Sequence, residues 1–177
     1  MNIKNIKINK LSENEKRIFV DIPRCMGCRA CEIACIKKHS WKNNIDIGKR
    51  NGDINDINGI ARIRIVKYKT YALPLQCRQC PEPYCYFACI AGAIRIEEGN
   101  MIFEEDKCTH CYSCVMSCPY GVIHLENDIL TPAIKCELCS DEKIPPCVRV
   151  CPTRTLFLGS QQEFKKLLKG RKEKCIT

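Results

Sequence analysis

Apolar positions in this chain fall in short alternating runs broken by polar turns, a pattern of brief strands rather than long helices. Arg17 to Asp21 predicts a strand near the amino terminus. Ala93 to Ile96 and Met101 to Glu104 predict two more, joined by a turn at Glu98, Gly99 and Asn100. Val122 to Leu125, a turn near Asn127 and Asp128, and Ile129 to Leu130 before Pro132 repeat the theme, and Thr155 to Leu158 predicts a further strand. Between residues 36 and 76 the polar stretch NNIDIGKRNGDINDING reads as a loop, and the alternation in ARIRIVKYKTYALPL reads as one half-buried strand after it. Near the carboxyl end the period lengthens. Ser160-Gln161-Gln162-Glu163 has the S-x-x-E capping-box pattern, Phe164, Leu167 and Leu168 share one face of a short helix, and Gly170 is expected to end that helix, which reads as packing against the second of two cysteine-bearing units rather than as a partner-binding helix.

Such a set of elements has little to pack with. Five Phe, six Tyr and one Trp supply its aromatic residues, and 28% of the chain is charged. The cysteines change the picture. Sixteen of the seventeen form four groups that each end in C-x3-C: Cys25, Cys28, Cys31, Cys35; Cys77, Cys80, Cys85, Cys89; Cys108, Cys111, Cys114, Cys118; and Cys136, Cys139, Cys147, Cys151. The first and third have the C-x2-C-x2-C-x3-C spacing of bacterial iron–sulfur sites, where three thiolates hold one [4Fe–4S] cluster and the fourth reaches a second. Sixteen thiolates are what four such clusters need, and bound clusters would supply the stability the apolar core lacks. Zinc sites come instead as separated C-x2-C halves, which fits this spacing poorly.

A disulfide scaffold would imply a secretory context. MNIKNIKINKLSENEKRIFVD has neither a continuous apolar segment nor a cleavage pattern, and no stretch of about 18 apolar residues could cross a bilayer. The expected location is therefore cytoplasmic, with thiols reduced or metal-bound. The formal charge of +9 invites a nucleic-acid reading only while cysteines count as neutral. Ligation deprotonates them, and with four oxidised cluster cores offsetting half of that charge the holoprotein sits near neutrality. Lys165, Lys166, Lys169, Arg171, Lys172 and Lys174 form a basic run without aromatic interleaving, so it reads as a solvated face and no nucleic-acid partner is expected.

The hairpin between groups two and three makes them one local unit, and the strands beside groups one and four could close a second unit around it. Cys118 and Cys151 are each followed by proline, as in the bacterial motif, and each fourth cysteine is expected to begin or lie within a helical segment, which favours exchange of fourth ligands. The inner assignment is Cys77, Cys80, Cys85 and Cys118 for one cluster, with Cys89, Cys108, Cys111 and Cys114 for its neighbour. His39, His110 and His124 lie near the groups but have no ligand place left to fill. Trp41 reads as a packing residue and Cys175 as a free thiol. There is no G-x-G-x-x-G, P-loop or spare cysteine group, so no catalytic site is expected.

DIPRCMGCRACEIACIKKHS, LPLQCRQCPEPYCYFAC, KCTHCYSCVMSCPYG and KCELCSDEKIPPCVRVCPTRTLF, in that order over residues 17 to 159, resemble the four-cluster ferredoxin-like iron–sulfur subunits that accompany molybdopterin oxidoreductases, hydrogenases and carbon monoxide dehydrogenases. The motifs look most like the electron-transfer subunit of carbon monoxide dehydrogenase, with subunits of formate dehydrogenase and formate-linked hydrogenase complexes next. The resemblance implies an α+β fold of two nested double-cluster units with short strands, short helices and many loops. It places Cys25, Cys28, Cys31 and Cys151 on one outer cluster and Cys35, Cys136, Cys139 and Cys147 on the other. The implied organisation is an extension (1–16), the first half of the outer unit with a linker (17–76), the inner unit (77–131), the second outer half (132–159), and a helix with a basic tail (160–177). The implied function is electron relay through four [4Fe–4S] clusters between a catalytic partner and a second redox protein. A wire or scaffold subunit of a formate dehydrogenase or hydrogenase complex is the alternative.

Overall fold

The structure is a computed structural model that describes residues 16–40, 61–97, 100–125 and 132–173. Among these residues the fold is α+β, with four separate two-stranded antiparallel sheets, five α-helices and two short 3-10 helices. The strand expected near the amino terminus forms as β1 (Arg17–Val20) and pairs with β8 (Leu156–Gly159) from the other end of the chain, Arg17 opposite Gly159 and Val20 opposite Leu156. The backbone N–H of Asp21 extends the ladder to the carbonyl of Thr155 at 2.8 Å. The expected inner hairpin forms as β4 (Ile94–Glu97) and β5 (Asn100–Phe103), one residue displaced from the sequence reading, and Glu98 and Gly99 of its turn lie outside the described residues.

The interval before group two departs from expectation. ARIRIVKYKTYALPL is not one strand but a hairpin of β2 (Ile63–Tyr68) and β3 (Tyr71–Gln76), closed by Lys69 and Thr70 with Lys69 at φ +51°. No glycine, asparagine or proline marks that turn, so only the alternation was legible. The alternation itself holds, with Ile63 and Ile65 buried and Arg64 and Val66 exposed. The fourth sheet joins β6 (His124–Leu125) to β7 (Ala133–Ile134). Its second strand follows Pro132, whereas the expected Ile129 to Leu130 and the turn at Asn127 and Asp128 lie outside the described residues.

Helix α1 (Ala30–Ser40) carries Cys31 and Cys35. In α2 (Tyr84–Phe87), α3 (Ser113–Ser117) and α4 (Pro146–Arg149) the helical cysteine is the third of each group, and Cys89, Cys118 and Cys151 sit just beyond the helix end. The expectation that every fourth cysteine begins or lies within a helix is thus correct for Cys35 alone; one helical turn is too short to span both cysteines. α1 packs on α4, and α2 on α3, so group one meets group four and group two meets group three. The capping box forms as expected: Glu163 Oε2 accepts the Ser160 N–H at 2.7 Å, and the Glu163 N–H donates to Ser160 Oγ at 3.3 Å. It opens α5 (Gln161–Glu173), whose Phe164 stacks on Phe19 at 5.0 Å and Phe157 at 5.9 Å. Gly170 does not end this helix. Arg171, one residue on, holds Asp21 at 2.5 Å and the Arg154 carbonyl at 3.2 Å, so tertiary anchorage carries the helix past the glycine.

A two-stranded sheet alone is marginal in water. What these four share is a core in which Cys31, Cys35, Cys77, Cys85, Cys114, Cys136 and Cys147 are buried among Ile18, Ile63, Ile94, Met101 and Leu156.

Candidate metal centres

Each C-x2-C turn is built the same way. The residue before the second cysteine is left-handed in all four groups: Gly27 at φ +73°, Gln79 at +49°, His110 at +56° and Leu138 at +64°. Arg29 and Tyr112, just after the second cysteine, are left-handed as well. Alternation of right- and left-handed residues turns successive backbone N–H groups into one concavity, a nest that binds anions and sulfur clusters. Three of the fourth cysteines receive N–H donors of their own: Arg62 N–H to Cys35 Sγ at 3.2 Å, Ala93 N–H to Cys89 Sγ at 3.2 Å, and Thr155 N–H to Cys151 Sγ at 3.3 Å. Hydrogen bonds to sulfur tune cluster potentials.

The thiols gather in sets that mix distant parts of the chain. Cys25, Cys28, Cys31 and Cys151 line one recess of about 310 Å³, walled by Ile65 and Pro74 of the β2–β3 hairpin and by Leu156. Cys35, Cys136, Cys139 and Cys147 line a second of about 300 Å³ with Ile18, Ile63 and Gln76. Around a third position, burial pushes the Cys85 thiol up to about 12, helped by Cys77, Cys118 and Cys80. Cys80 is pushed up by burial and then by Cys77 and Cys118. At the fourth, burial and then Cys89 raise Cys114, with Cys108 adding to it. Cys111, the remaining member of that group, is exposed, and the Ser113 backbone N–H holds its thiol below the ordinary value.

Weaker contacts order the sets. Cys77 acts on Cys136, and Cys31 on Cys147, so the second recess stands between the first and the Cys77 set. Burial above all pushes Cys31 and Cys136 to about 12. Bare thiolates are therefore disfavoured in these recesses, and a core carrying positive charge is what would let them ionise. All sixteen described cysteines are free of disulfides. Among the described residues no three His, Cys, Asp or Glu side chains gather as ligands of a single ion. Four thiolates around each recess are the donor set that an iron–sulfur cluster takes.

His39 Nε2 stands 3.9 Å from Cys139 Sγ at the edge of the second recess, and burial holds the His124 imidazole below its usual value. Trp41 and Cys175 lie outside the described residues. Sequence reading missed Arg62, Gln79 and Lys135, buried polar residues beside the cysteines. For Gln79 and Lys135 the only sequence signal is adjacency to a group, which does not separate them from half-buried Arg78 or exposed Thr109, and Arg62, far from any cysteine in sequence, carries no signal at all.

The profile of the 4Fe-4S dicluster domain matches residues 68–161. The protein is 36% identical over 141 residues to YsaA of Escherichia coli strain K12, by name a candidate electron transport protein, across 78% of this sequence and 86% of that one. It is 33% identical over 176 residues to an iron-sulfur protein of Rhodospirillum rubrum, across 90% of each. The B component of the anaerobic dimethyl sulfoxide reductase of Escherichia coli strain K12 is 32% identical over 157 residues, across 84% of this sequence and 75% of that one.

Proposed function

The chain belongs to the 4Fe-4S dicluster domain family, and on that premise we propose that it is the electron wire of a larger oxidoreductase complex of the molybdopterin, formate dehydrogenase or hydrogenase kind. It is an iron–sulfur electron-transfer protein of ferredoxin-like α+β fold that acts between redox partners, and not an enzyme in its own right. Similarity over most of its length to one component of a reductase supports the subunit reading over a mobile carrier for carbon monoxide dehydrogenase. Among the described residues no helix is long and apolar enough to cross a membrane.

The proposed cofactors are four [4Fe–4S] clusters, each passing one electron at a time. Their ligands are Cys89, Cys108, Cys111, Cys114; then Cys77, Cys80, Cys85, Cys118; then Cys35, Cys136, Cys139, Cys147; then Cys25, Cys28, Cys31, Cys151. The observation that carries this reading is the pair of recesses lined by four cysteines each, drawn from opposite ends of the chain. On this reading two double-cluster units nest, with residues 77–131 inside and residues 17–76 and 132–159 around them. Buried Cys77, Cys85, Cys35, Cys136 and Cys147 hold the middle of the path dry, while exposed Cys28 and Cys111 mark its two ends, where a catalytic partner and a second redox protein would dock.

Anaerobically purified protein should carry about 16 iron and about 16 acid-labile sulfide per chain. Zinc without sulfide would refute the assignment. Cys118→Ala should disturb the cluster at Cys77, Cys80 and Cys85 while leaving the one at Cys108, Cys111 and Cys114 in place. In the purified complex it should cut electron delivery to a protein acceptor at least tenfold and spare reduction of an artificial dye by the catalytic partner. Equal loss in both assays would mean that the chain is a scaffold.

A further inference from the structure

Lys135 is 2% exposed, a rare position for an ammonium. Its Nζ donates to the carbonyl of Met101 on β5 and to the carbonyl of Cys136 at 3.3 Å. Gln79, 1% exposed, completes a ring: its Nε2 donates to the same Cys136 carbonyl at 3.2 Å, and its Oε1 accepts the Met101 N–H at 2.9 Å. Gln79 stands between Cys77 and Cys80, and Cys136 opens the fourth group, so the ring spans the junction between two neighbouring cysteine sets. Among the described residues no carboxylate pairs with Lys135. The lysine acts electrostatically on Cys85, where it opposes the effect of burial.

Two carbonyls satisfy the hydrogen-bonding capacity of an ammonium only in part and leave its charge uncompensated in a low-dielectric interior, which is costly. An anion must be near to make the position tenable. A cluster held by four thiolates is such an anion, and its charge grows by one when an electron enters. We propose that Lys135 is a fixed buried cation that raises the reduction potential of the cluster at Cys77, Cys80, Cys85 and Cys118, making the junction between the inner and outer units the point where an electron on the wire rests. This rests on the four-cluster reading above. The step it biases is a single electron transfer in which no bond forms or breaks: one neighbouring cluster is oxidised, this one is reduced from the 2+ to the 1+ core, and no proton moves. Charges act strongly on one another in a buried site because little water screens them. A mere strut between β5 and the fourth group would not need a charge.

The test is a spectroscopic redox titration of the full-length holoprotein, with iron and sulfide counted in every sample. Lys135→Met keeps the length of the side chain and removes the charge. One of the four one-electron steps should move down by a factor of ten or more in its equilibrium constant, about 59 mV for one electron, while the others move less. Lys135→Arg should keep the wild-type value. Gln79→Glu, which sets a carboxylate in the same ring, should lower the same step without touching the lysine. Four unchanged steps in fully loaded Lys135→Met would overturn the proposal. So would failure of both Lys135→Met and Gln79→Glu to load clusters that Lys135→Arg retains, since the lysine would then be a strut the fold requires. Wild-type protein that carries no sulfide would instead remove the four-cluster reading on which the proposal depends.

Discussion

Gly27 is the one glycine among the four left-handed residues that precede a second cysteine, and its neighbourhood explains the choice. A Cβ there would come 3.2 Å from that of Ala72 on β3, on top of the cost of a left-handed backbone. Gly27→Ala should therefore destabilise the holoprotein by about 1–2 kcal/mol and, on the proposed four-cluster reading, loosen the cluster nearest Cys25 and Cys28 first, read as faster bleaching of one quarter of the charge-transfer absorbance in a chelator challenge. Unchanged bleaching would show that the hairpin yields. At the other three positions Gln79, His110 and Leu138 accept the same backbone conformation with ordinary side chains. That is why the turns were legible from C-x2-C spacing and not from residue type. The same limit hid Lys135: a lysine one residue before a cysteine looks like any surface lysine until a neighbouring strand covers it.

Elements were most legible where local chemistry marks both ends. The capping box at Ser160 and Glu163 fixed the start of α5, and Phe164 landed on the strands as its helical spacing required. The far end was misread because a glycine in sequence looks like a stop. In the fold Gly170 is exposed inside the helix with open space around it, and the chain continues to Arg171, which is tied to Asp21. Gly170→Ala should consequently stabilise the protein by roughly 0.5–1 kcal/mol, seen as a higher denaturant midpoint at unchanged iron content. A lower midpoint would mean that the glycine is held for some contact other than those of α5 with β1 and β8. The β2–β3 hairpin was half-legible for a related reason. Its alternation is plain in sequence, but Lys69 and Thr70 carry no turn signal; burial of Ile63 and Ile65 above the recesses fixes the pairing instead.

For the whole molecule, the order of four cysteine groups and the pairing of chain ends were readable, whereas partners are not written in ligand spacing. Seven core cysteines and four two-stranded sheets leave little to hold the chain once cluster and thiolate are gone. Anaerobic removal of iron should abolish cooperative unfolding rather than lower its midpoint; a sharp melt and native near-ultraviolet dichroism in the apoprotein would contradict this. The pairing of β1 with β8 also sets a timetable for biosynthesis. Arg17 to Val20 leave the ribosome long before the strand they join, Leu156 to Gly159, has been made. The β4–β5 hairpin and the contact of α2 with α3 need only residues up to about Ser117 and can settle while the rest is still being made. The amino-terminal cysteines wait as naked nascent thiols, the first to appear and the last to be enclosed, so oxygen or a stalled ribosome should injure that end of the protein before any other.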